Sequence, residues 1–341
     1  MNSSTALFLD PAGSSAAHAP LPDCIGVCYS GYRSDHSPIA RRYPGEDQVL
    51  EDLSILRRLF GRLRLYDSGP HAERVLAAIR AHRLSLKVML GAHLGAEESN
   101  PDCPWGGVYD ADGLAANAAE NDREIDRLIA LARRYEDIVE SVAVGNECVA
   151  AWSDHRVPVE RLIEQVRRVR GAAAQPVTVC ENHVPWRGEL RPVAAELDFI
   201  SIHSYPVWER RNIDEALECT RDDILTVAAA YPGRKIVVSE AGWTTRTNGH
   251  GIDPGQASPE LQAIYCARLV DWAVARGVSI YLFEAFDEPW KGGSDPQEPE
   301  KHWGLYTVER QPKPAVGLLR SRGARARGEE PGIRGGRLAA G

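Results

Sequence analysis

Short apolar segments recur along the chain, and nearly every one is followed by a stretch with helical periodicity. Runs of β-branched residues, such as Ile236 to Val238, indicate strands that are buried on both faces, as in a parallel sheet. The predicted strands lie at 24–29, 61–67, 84–91, 139–147, 176–181, 197–206, 235–240 and 278–286. Eight strands alternating with helices predict an α/β fold, a single (β/α)8 TIM barrel with its active site at the C-terminal ends of the strands.

The domain organisation follows from changes in composition along the 341 residues. Residues 1–21 are rich in Ala, Ser and Pro, and residues 321–341 are rich in Gly and Arg, so both segments are predicted to be disordered. The barrel is predicted over 22–320, with its last helix near 313–320. We find no linker composition or short repeat inside it, which favours one domain.

One rival fold and one rival type of barrel lack their sequence signatures. A doubly wound open sheet that binds a dinucleotide calls for G-x-G-x-x-G after an early strand, and residues 26–34 (GVCYSGYRS) do not fit that motif. A phosphate-binding barrel should favour anions after its last two strands. Here those loops carry carboxylates, namely Glu240, Glu284, Asp287 and Glu288. Phosphate is therefore disfavoured as a ligand.

Charge and composition exclude several classes of partner. The formal net charge of −8 disfavours nucleic acid, and no apolar run approaches the ~18 residues of a membrane span. No signal peptide is visible, so the compartment stays open: periplasmic or extracellular if the chain is part of a longer exported protein, otherwise cytoplasmic. The seven cysteines are scattered, and neither zinc-finger spacing nor HExxH occurs. We therefore expect no metal and no cofactor.

Two predicted strands end in a glutamate. Glu147 ends the fourth strand and Glu240 the seventh, so a barrel would bring both carboxylates to one mouth. One such glutamate alone fits a structural ion pair equally well. A pair fits a retaining glycosidase, whose two carboxyl groups lie ~5–5.5 Å apart, one as nucleophile and the other as acid and base.

The other strand ends and the loops after them are acidic and aromatic. Such a mouth suits a neutral sugar, because carboxylates accept from hydroxyl groups and aromatic rings stack on pyranoses. Trp243 and Trp290 are the favoured stacking groups, whereas Tyr29 and Phe286 fit the core nearly as well. The predicted substrate-binding residues are Tyr29, Asp67, Asn146, Glu181, His203, Tyr205, Trp243, Glu284, Phe286, Glu288, Trp290 and Lys291.

A set of motifs in this order resembles glycoside hydrolase family seventeen: IGVCYSGY, RLRLYD, VMLG, VGNE, SIHSYP, VVSEAGW, and FEAFDEPWK followed by HWGLY. The resemblance covers about residues 24–318. It implies a retaining barrel that uses no cofactor. The implied substrate is a β-1,3-glucan, either an oligosaccharide or a polysaccharide. It places the acid/base on Glu147, the nucleophile on Glu240, and an auxiliary pair on Glu288 and Lys291.

The site residues receive more specific roles from this resemblance. Asn146 is expected to hydrogen-bond the sugar 2-hydroxyl, and His203 and Tyr205 are expected to orient Glu240. Glu288 and Lys291 are expected to set the charge around Glu147.

The chain departs from the plant branch of that family. It has Thr244 where the plant branch has proline, and the segment from Tyr205 to Lys235 has room for little beyond one helix. It therefore resembles the compact bacterial and fungal branch, which contains glucanosyltransferases as well as hydrolases. Two alternatives stay open: a catalytically silent glucan-binding barrel, and an aldolase- or isomerase-like barrel using Lys291.

Overall fold

The computed structural model describes residues 21–326 and shows a closed barrel of parallel strands. Each strand pairs with the next in sequence, and β1 pairs with β8 to close the sheet. This confirms the predicted (β/α)8 barrel. The strands are β1 Ile25–Cys28, β2 Arg62–Leu65, β3 Lys87–Ala92, β4 Val139–Asn146, β5 Val177–Asn182, β6 Ile200–Ser204, β7 Ile236–Gly242 and β8 Ser279–Phe283.

Helices surround the barrel and begin and end at recognisable signals. The Asp110 side chain accepts from the Gly113 N–H at the start of α3, and Ser258 caps α7 in the same way. Gly277 ends α7 with φ +64°, a conformation that favours glycine. The helices are α1 Glu46–Leu56, α2 Pro70–Ala81, α3 Ala111–Arg134, α4 Val159–Arg170, α5 Arg191–Ala194, α6 Ala216–Ala230, α7 Pro259–Arg276 and α8 Pro314–Ala326.

The ends of the chain differ from the sequence prediction. Helix α8 runs to Ala326, so the predicted boundary at 320 falls inside a helix. Leu21 is buried and its N–H donates to the Leu59 carbonyl at 2.7 Å, so it belongs to the folded part. The remaining residues predicted to be disordered, 1–20 and 327–341, lie outside the described part of the chain. In 21–326 no helix has the length and apolar character needed to cross a bilayer.

The barrel interior is apolar along the strands and becomes polar at their C-terminal ends. Strand β1 is buried over its whole length, and the core continues through the inner faces of the helices. The strand register shifts near the ends of β4, β6 and β7, between Ala143 and Asn146, between Ile202 and His203, and between Val238 and Ala241. Such irregularities change the direction in which a side chain points, and here they occur beside predicted site residues.

The turn after β4 is tight and leads directly to Glu147. Gly145 has φ +82°, and a Cβ atom there would lie 2.8 Å from the Cys148 sulfur, so the position requires glycine. Glu147 itself has φ +48°, an uncommon value for a residue with a side chain. Uncommon backbone conformations of this kind concentrate at functional sites because the surrounding structure holds them in place.

Candidate active site

The two strand-end glutamates meet at one histidine. His203 lies on β6 and is fully buried. Its Nδ1 is 2.8 Å from Glu147 Oε1, and its Nε2 is 3.5 Å from Glu240 Oε1. The carboxylates predicted to form the catalytic pair are thus held at opposite ring nitrogens of one imidazole, at the mouth of the barrel.

Glu240 is enclosed by donors. Arg64 Nη1 and the Tyr205 hydroxyl both donate to its carboxylate, one to each oxygen. Burial disfavours the charge of Glu240, but the charges of His203 and Arg64 and the hydrogen bonds from Tyr205 and Arg64 outweigh it, and its pKa falls from 4.5 to about 2. Glu240 is therefore an anion at any pH at which the protein is expected to work, as a nucleophile must be.

Glu147 has more open surroundings. Its side chain is 26% exposed, against 6% for Glu240, and the bond to His203 is its one hydrogen bond to another side chain in the described part of the chain. A carboxyl group that reaches solvent can exchange a proton with a leaving group and then with an incoming acceptor. This is what a general acid and base requires.

His203 lies between Glu147 and Glu240. Burial alone would lower its pKa, but the charge of Glu240, a hydrogen bond with Cys180 and the bond and charge of Glu147 raise it from 6.5 to about 10. The ring is therefore an imidazolium at neutral pH, and both of its nitrogens carry protons. One cation thus lies between the two carboxylates.

Comparison with known proteins identifies the family. A family model described as BtgE/BtgC glycoside hydrolase domain matches residues 26–304. The chain belongs to this glycoside hydrolase family. A putative glucan endo-1,3-beta-glucosidase, btgC, from Aspergillus niger is 28% identical over 319 residues, covering 85% of this chain and 43% of the relative. The chain therefore spans less than half of that curated relative.

Solved structures agree with the fold. An endo-laminarinase from Formosa Hel1_33_131 superposes with a TM-score of 0.72 and 25% identity, covering 88% of this chain and 87% of that one. A glycoside hydrolase family 17 beta-1,3-glucanosyltransferase from Rhizomucor miehei gives a TM-score of 0.66 at 23% identity, covering 86% and 96%. At 23% identity, the likeness to the Rhizomucor miehei enzyme shows the fold alone.

Arg64 is a buried site residue that the sequence analysis did not predict. It lies inside β2, is 1% exposed, and bridges two site residues, because its Nη1 donates to Glu240 and its Nη2 to the Asn146 Oδ1. Its guanidinium also lies 4.4 Å from the centre of the Tyr66 ring. A signal was present: the RLRL segment puts arginines into a strand that must be buried, and a buried charge needs a partner.

Asn146 is held so that one side of its amide stays free. Its Oδ1 accepts from Arg64, which leaves the NH2 group to donate elsewhere. Its backbone carbonyl is 2.9 Å from His155 Nε2, so the loop after β4 also holds it in place. This arrangement suits the predicted contact with a sugar hydroxyl, and that role remains a prediction.

A second ion cluster lies directly after β8. Lys291 Nζ is 2.9 Å from Glu284 Oε2 and 2.8 Å from Glu288 Oε2, and both carboxylates are nearly fully buried. Burial and the charge of Glu288 raise the pKa of Glu284. Burial disfavours the Lys291 cation, but Glu284 and Glu288 raise its pKa overall, so the amine is a fixed cation. An amine held as a cation between two carboxylates is a poor nucleophile, which disfavours the aldolase-like alternative.

Glu300 joins this cluster from the loop after β8 and was also missed. Burial raises its pKa from 4.5 to about 7, and the charges of Glu147 and Glu240 add to the rise while Lys291 opposes it. Glu300 lies in a one-turn 3₁₀ segment, Pro299–Lys301. A single glutamate in a long loop carries no sequence pattern, so no signal pointed to it.

Four of the predicted substrate-binding side chains lie in the core. Trp243 is 0% exposed, its indole N–H donates to the Gln256 carbonyl at 2.9 Å, and its ring packs against Tyr265. It therefore cannot stack on a sugar. Phe286 is buried under the Arg310 guanidinium, 4.2 Å from its ring centre. The other two are Tyr29 and Glu181.

Tyr29 and Glu181 have structural partners instead. The Tyr29 hydroxyl donates to Asp52 Oδ2 at 3.0 Å, away from the two glutamates. Glu181 is fully buried beneath Glu147, and its two oxygens accept from the Val149 and Asn182 N–H groups. Burial and the charge of Glu147 raise the pKa of Glu181 from 4.5 to about 8. It holds the loop that carries Glu147.

Two predicted residues remain available near the mouth. Trp290 is half-buried in the loop after β8, with its ring edge-on to Tyr32 at 5.7 Å and 5.8 Å from Lys291 Nζ. Asp67 is half-buried after β2, where its Oδ1 accepts from the Gly69 N–H at 2.8 Å. Both follow the C-terminal end of a strand and are partly exposed, and their roles stay predictions.

Proposed function

We propose that this domain cleaves β-1,3-glucosidic bonds by double displacement and passes the glycosyl group to water or to a second sugar. The observation that carries the proposal is the placement of the two glutamates: Glu240 is enclosed by donors from Arg64 and Tyr205, and Glu147 faces it across the His203 ring. The activity for which the Aspergillus niger relative is named, glucan endo-1,3-beta-glucosidase, supports the choice of linkage. The Formosa endo-laminarinase supports it too.

The chemistry follows from the geometry. The Glu240 carboxylate attacks the anomeric carbon, and the carboxyl group of Glu147 gives its proton to the departing glycosidic oxygen. A covalent glycosyl-enzyme forms on Glu240. Glu147, now a carboxylate, then takes a proton from water or from a sugar hydroxyl, which attacks the same carbon and frees Glu240. Two displacements retain the β configuration.

Membership of glycoside hydrolase family seventeen, in its compact branch, is part of the proposal. The sequence motifs support it, as does the likeness of fold to the family 17 enzyme of Rhizomucor miehei. The segment between β6 and β7 supports the compact branch, because α6 (Ala216–Ala230) is the one helix assigned there. The substrate is then a β-glucan oligosaccharide or polysaccharide.

Product analysis tests the function directly. Purified protein is incubated with a laminari-oligosaccharide of defined length, and the products are separated by chromatography at low and at high substrate concentration. We expect shorter products at low concentration, and both shorter and longer ones at high concentration. The matched control is Glu240→Gln, which keeps the size of the side chain and should give neither.

The alternatives give different outcomes. Shorter products alone at every concentration would make the domain a plain hydrolase. Binding of the oligosaccharide without any change in length, in the wild type, would establish the glucan-binding barrel and overturn the proposal. Cleavage of β-1,4-linked but not β-1,3-linked oligosaccharides would overturn the linkage.

A further inference from the structure

A separate cluster of metal-ligating side chains lies between the C-terminal end of β6 and helix α6. His183 comes from the loop after β5, Glu209 from the loop after β6, and Asp223 from α6, and one ligand atom of each lies within 4.8 Å of the others. His183 Nε2 is 3.2 Å from Asp223 Oδ1 and 3.9 Å from Glu209 Oε1. Ligands at ~2.0–2.1 Å from a tetrahedral zinc ion are separated by roughly 3.3 Å, which is close to the distance between His183 and Asp223, whereas Glu209 would have to move closer.

A thiol lies beside Glu209, outside the set of three mutually close ligand atoms. Cys219 is four residues before Asp223 on α6, so the two side chains lie on the same face of the helix. Its Sγ is 3.3 Å from Glu209 Oε2. The cluster therefore offers one imidazole and two carboxylates from three separate segments of the chain, with one thiol next to Glu209.

The surroundings prepare these atoms for a cation. The Ser204 hydroxyl donates to Asp223 Oδ2 at 2.6 Å, which fixes the carboxylate and leaves Oδ1 facing His183. A hydrogen bond of this kind to a ligand is typical of metal sites. Within residues 21–326, no arginine or lysine lies within ion-pair distance of Asp223, and Glu209 has only Arg211, at 3.9 Å. Asp223 is 8% exposed, so its charge also lacks full hydration.

We propose that His183, Glu209 and Asp223 bind one Zn²⁺ ion, and that the Cys219 thiol moves in beside Glu209 as the fourth ligand when the ion binds. A mixed set of nitrogen, oxygen and sulfur ligands suits Zn²⁺, whereas Ca²⁺ and Mg²⁺ favour oxygen ligands alone. Four protein ligands close the coordination sphere, as in structural sites. On binding, the Cys219 thiol releases its proton to solvent and ligates as the thiolate.

The ion would stabilise the strand that holds the catalytic pair in position. Ser204, which bonds Asp223, is the residue between His203 and Tyr205 on the chain, and these two contact Glu147 and Glu240. The His183 N–H also bonds the His203 carbonyl at 3.3 Å. Zinc would thus join the loops after β5 and β6 to α6. This inference does not depend on the proposed function.

Metal binding by the wild-type protein is the first test. Protein stripped with a chelator and dialysed is titrated with Zn²⁺ against a competing chromophoric chelator, and its thermal unfolding is followed with and without the ion. We expect one equivalent bound at micromolar or lower concentration and a higher Tm. Absence of stoichiometric binding overturns the proposal, whatever the variants do.

The absorption spectrum of the Co²⁺-loaded protein identifies the ligand atoms. Co²⁺ in place of Zn²⁺ should give the intense visible absorption of a tetrahedral site and a near-ultraviolet band from sulfur-to-cobalt charge transfer. Cys219→Ser should lose the near-ultraviolet band, whereas Cys24→Ser, at a cysteine that is also half-buried, should keep it. A wild-type Co²⁺ spectrum without that band overturns the assignment of Cys219.

Variants locate the site. Asp223→Asn and His183→Ala should weaken Zn²⁺ binding at least about 100-fold, and Ser204→Ala, which removes the hydrogen bond to a ligand, roughly 10-fold. His36→Ala is the matched control, because that ring lies 3.6 Å from a single carboxylate, Asp35. Asp223→Asn barely changes the size of the side chain, so equal Zn²⁺ affinity in this variant and the wild type overturns the proposal.

Discussion

Glu240 and Glu147 are the same residue type at the ends of two strands of one barrel, yet their surroundings differ. Glu240 is 6% exposed and receives hydrogen bonds from Arg64 and Tyr205, whereas the Glu147 side chain is 26% exposed and is held by His203. The first arrangement fixes a charge, and the second leaves room for a proton to enter and leave. The comparison teaches that the environment, and not the residue type, assigns nucleophile and acid/base.

Removing each glutamate in turn gives the largest expected effect. Glu240→Ala should lower kcat/KM on laminari-oligosaccharides by at least about 10⁴-fold, because no group remains to form the covalent intermediate. Glu147→Ala should lower it by about 10²–10⁴-fold. On an aryl laminaribioside with a good leaving group, Glu147→Ala should slow formation of the glycosyl-enzyme much less, since the bond to the aryl leaving group breaks without protonation. Steady-state kinetics on both substrates measure the difference.

Added azide separates the two roles. In Glu147→Ala, azide should attack the glycosyl-enzyme and give a β-glycosyl azide. In Glu240→Ala, it should attack from the side of the missing carboxylate and give an α-glycosyl azide. The anomeric configuration is read by NMR. Products of the opposite configuration would mean that Glu147 is the nucleophile and Glu240 the acid/base, so the assignment made from their surroundings would be wrong.

Replacing Arg64 tests why Glu240 is the anion. In Arg64→Met the carboxylate stays buried but loses its nearest cation, so we expect kcat/KM to fall about 10²-fold, as on loss of one strong donor to a reacting group. The pKa of Glu240 should rise from about 2, because burial is then opposed by less positive charge. The acid limb of the pH dependence of kcat/KM should therefore move to higher pH.

The control for this change lies on the same strand. Arg62 also belongs to β2, but its guanidinium is 2.9 Å from Glu140, a residue near the start of β4 and far from the mouth. Arg62→Met should leave the acid limb where it is. An acid limb that stays unchanged in Arg64→Met would show that His203 and Tyr205 alone hold the charge on Glu240.

The imidazolium between the glutamates should make stability depend on pH. The pKa of His203 rises from 6.5 to about 10 on folding, so its contribution to the free energy of unfolding is complete below about pH 6.5 and is lost as the pH rises towards 10. Urea unfolding at pH 6.5 and at pH 9.5 should show this loss in the wild type, and His203→Gln should show less of it. His82→Gln, at an exposed histidine, is the control. Equal losses in wild type and His203→Gln would contradict the prediction.

The sequence predicted the strand-end carboxylates because their positions follow from two simple rules. A buried strand can be recognised from its apolar run, and a parallel barrel brings all strand ends to one mouth. Glu147 and Glu240 could therefore be placed before any coordinates. Arg64 could not be placed with equal ease, because its role depends on a side chain from β7, a partner distant in sequence.

Side-chain direction in loops was the harder problem. Trp243 and Trp290 each follow a strand with a site glutamate, and nothing local distinguishes them. Trp243 is directed inward by contacts with Tyr265 and Gln256 on and near α7, and those contacts arise only once the helix packs on the barrel. Tertiary packing decides whether a loop side chain is buried, and the sequence does not show that packing. The sequence prediction therefore placed Trp243 at the mouth, whereas in the structure it lies in the core.

The smallest expected effect comes from Trp290, the tryptophan of this pair that remains half-buried near the mouth. Transfer exceeds hydrolysis when a sugar acceptor is held over the glycosyl-enzyme in competition with water. One aromatic platform contributes about 1 kcal/mol, which changes the partition several-fold. Trp290→Ala should therefore lower the transfer-to-hydrolysis ratio several-fold at high oligosaccharide concentration while total cleavage changes less. Trp243→Ala should instead lower the free energy of unfolding by about 3–5 kcal/mol, the usual effect of removing a buried tryptophan, without a selective change in the ratio. If Trp290→Ala leaves the transfer-to-hydrolysis ratio unchanged, the acceptor is held elsewhere at the mouth. If Trp243→Ala is instead the variant that lowers this ratio, the distinction between the two tryptophans is wrong.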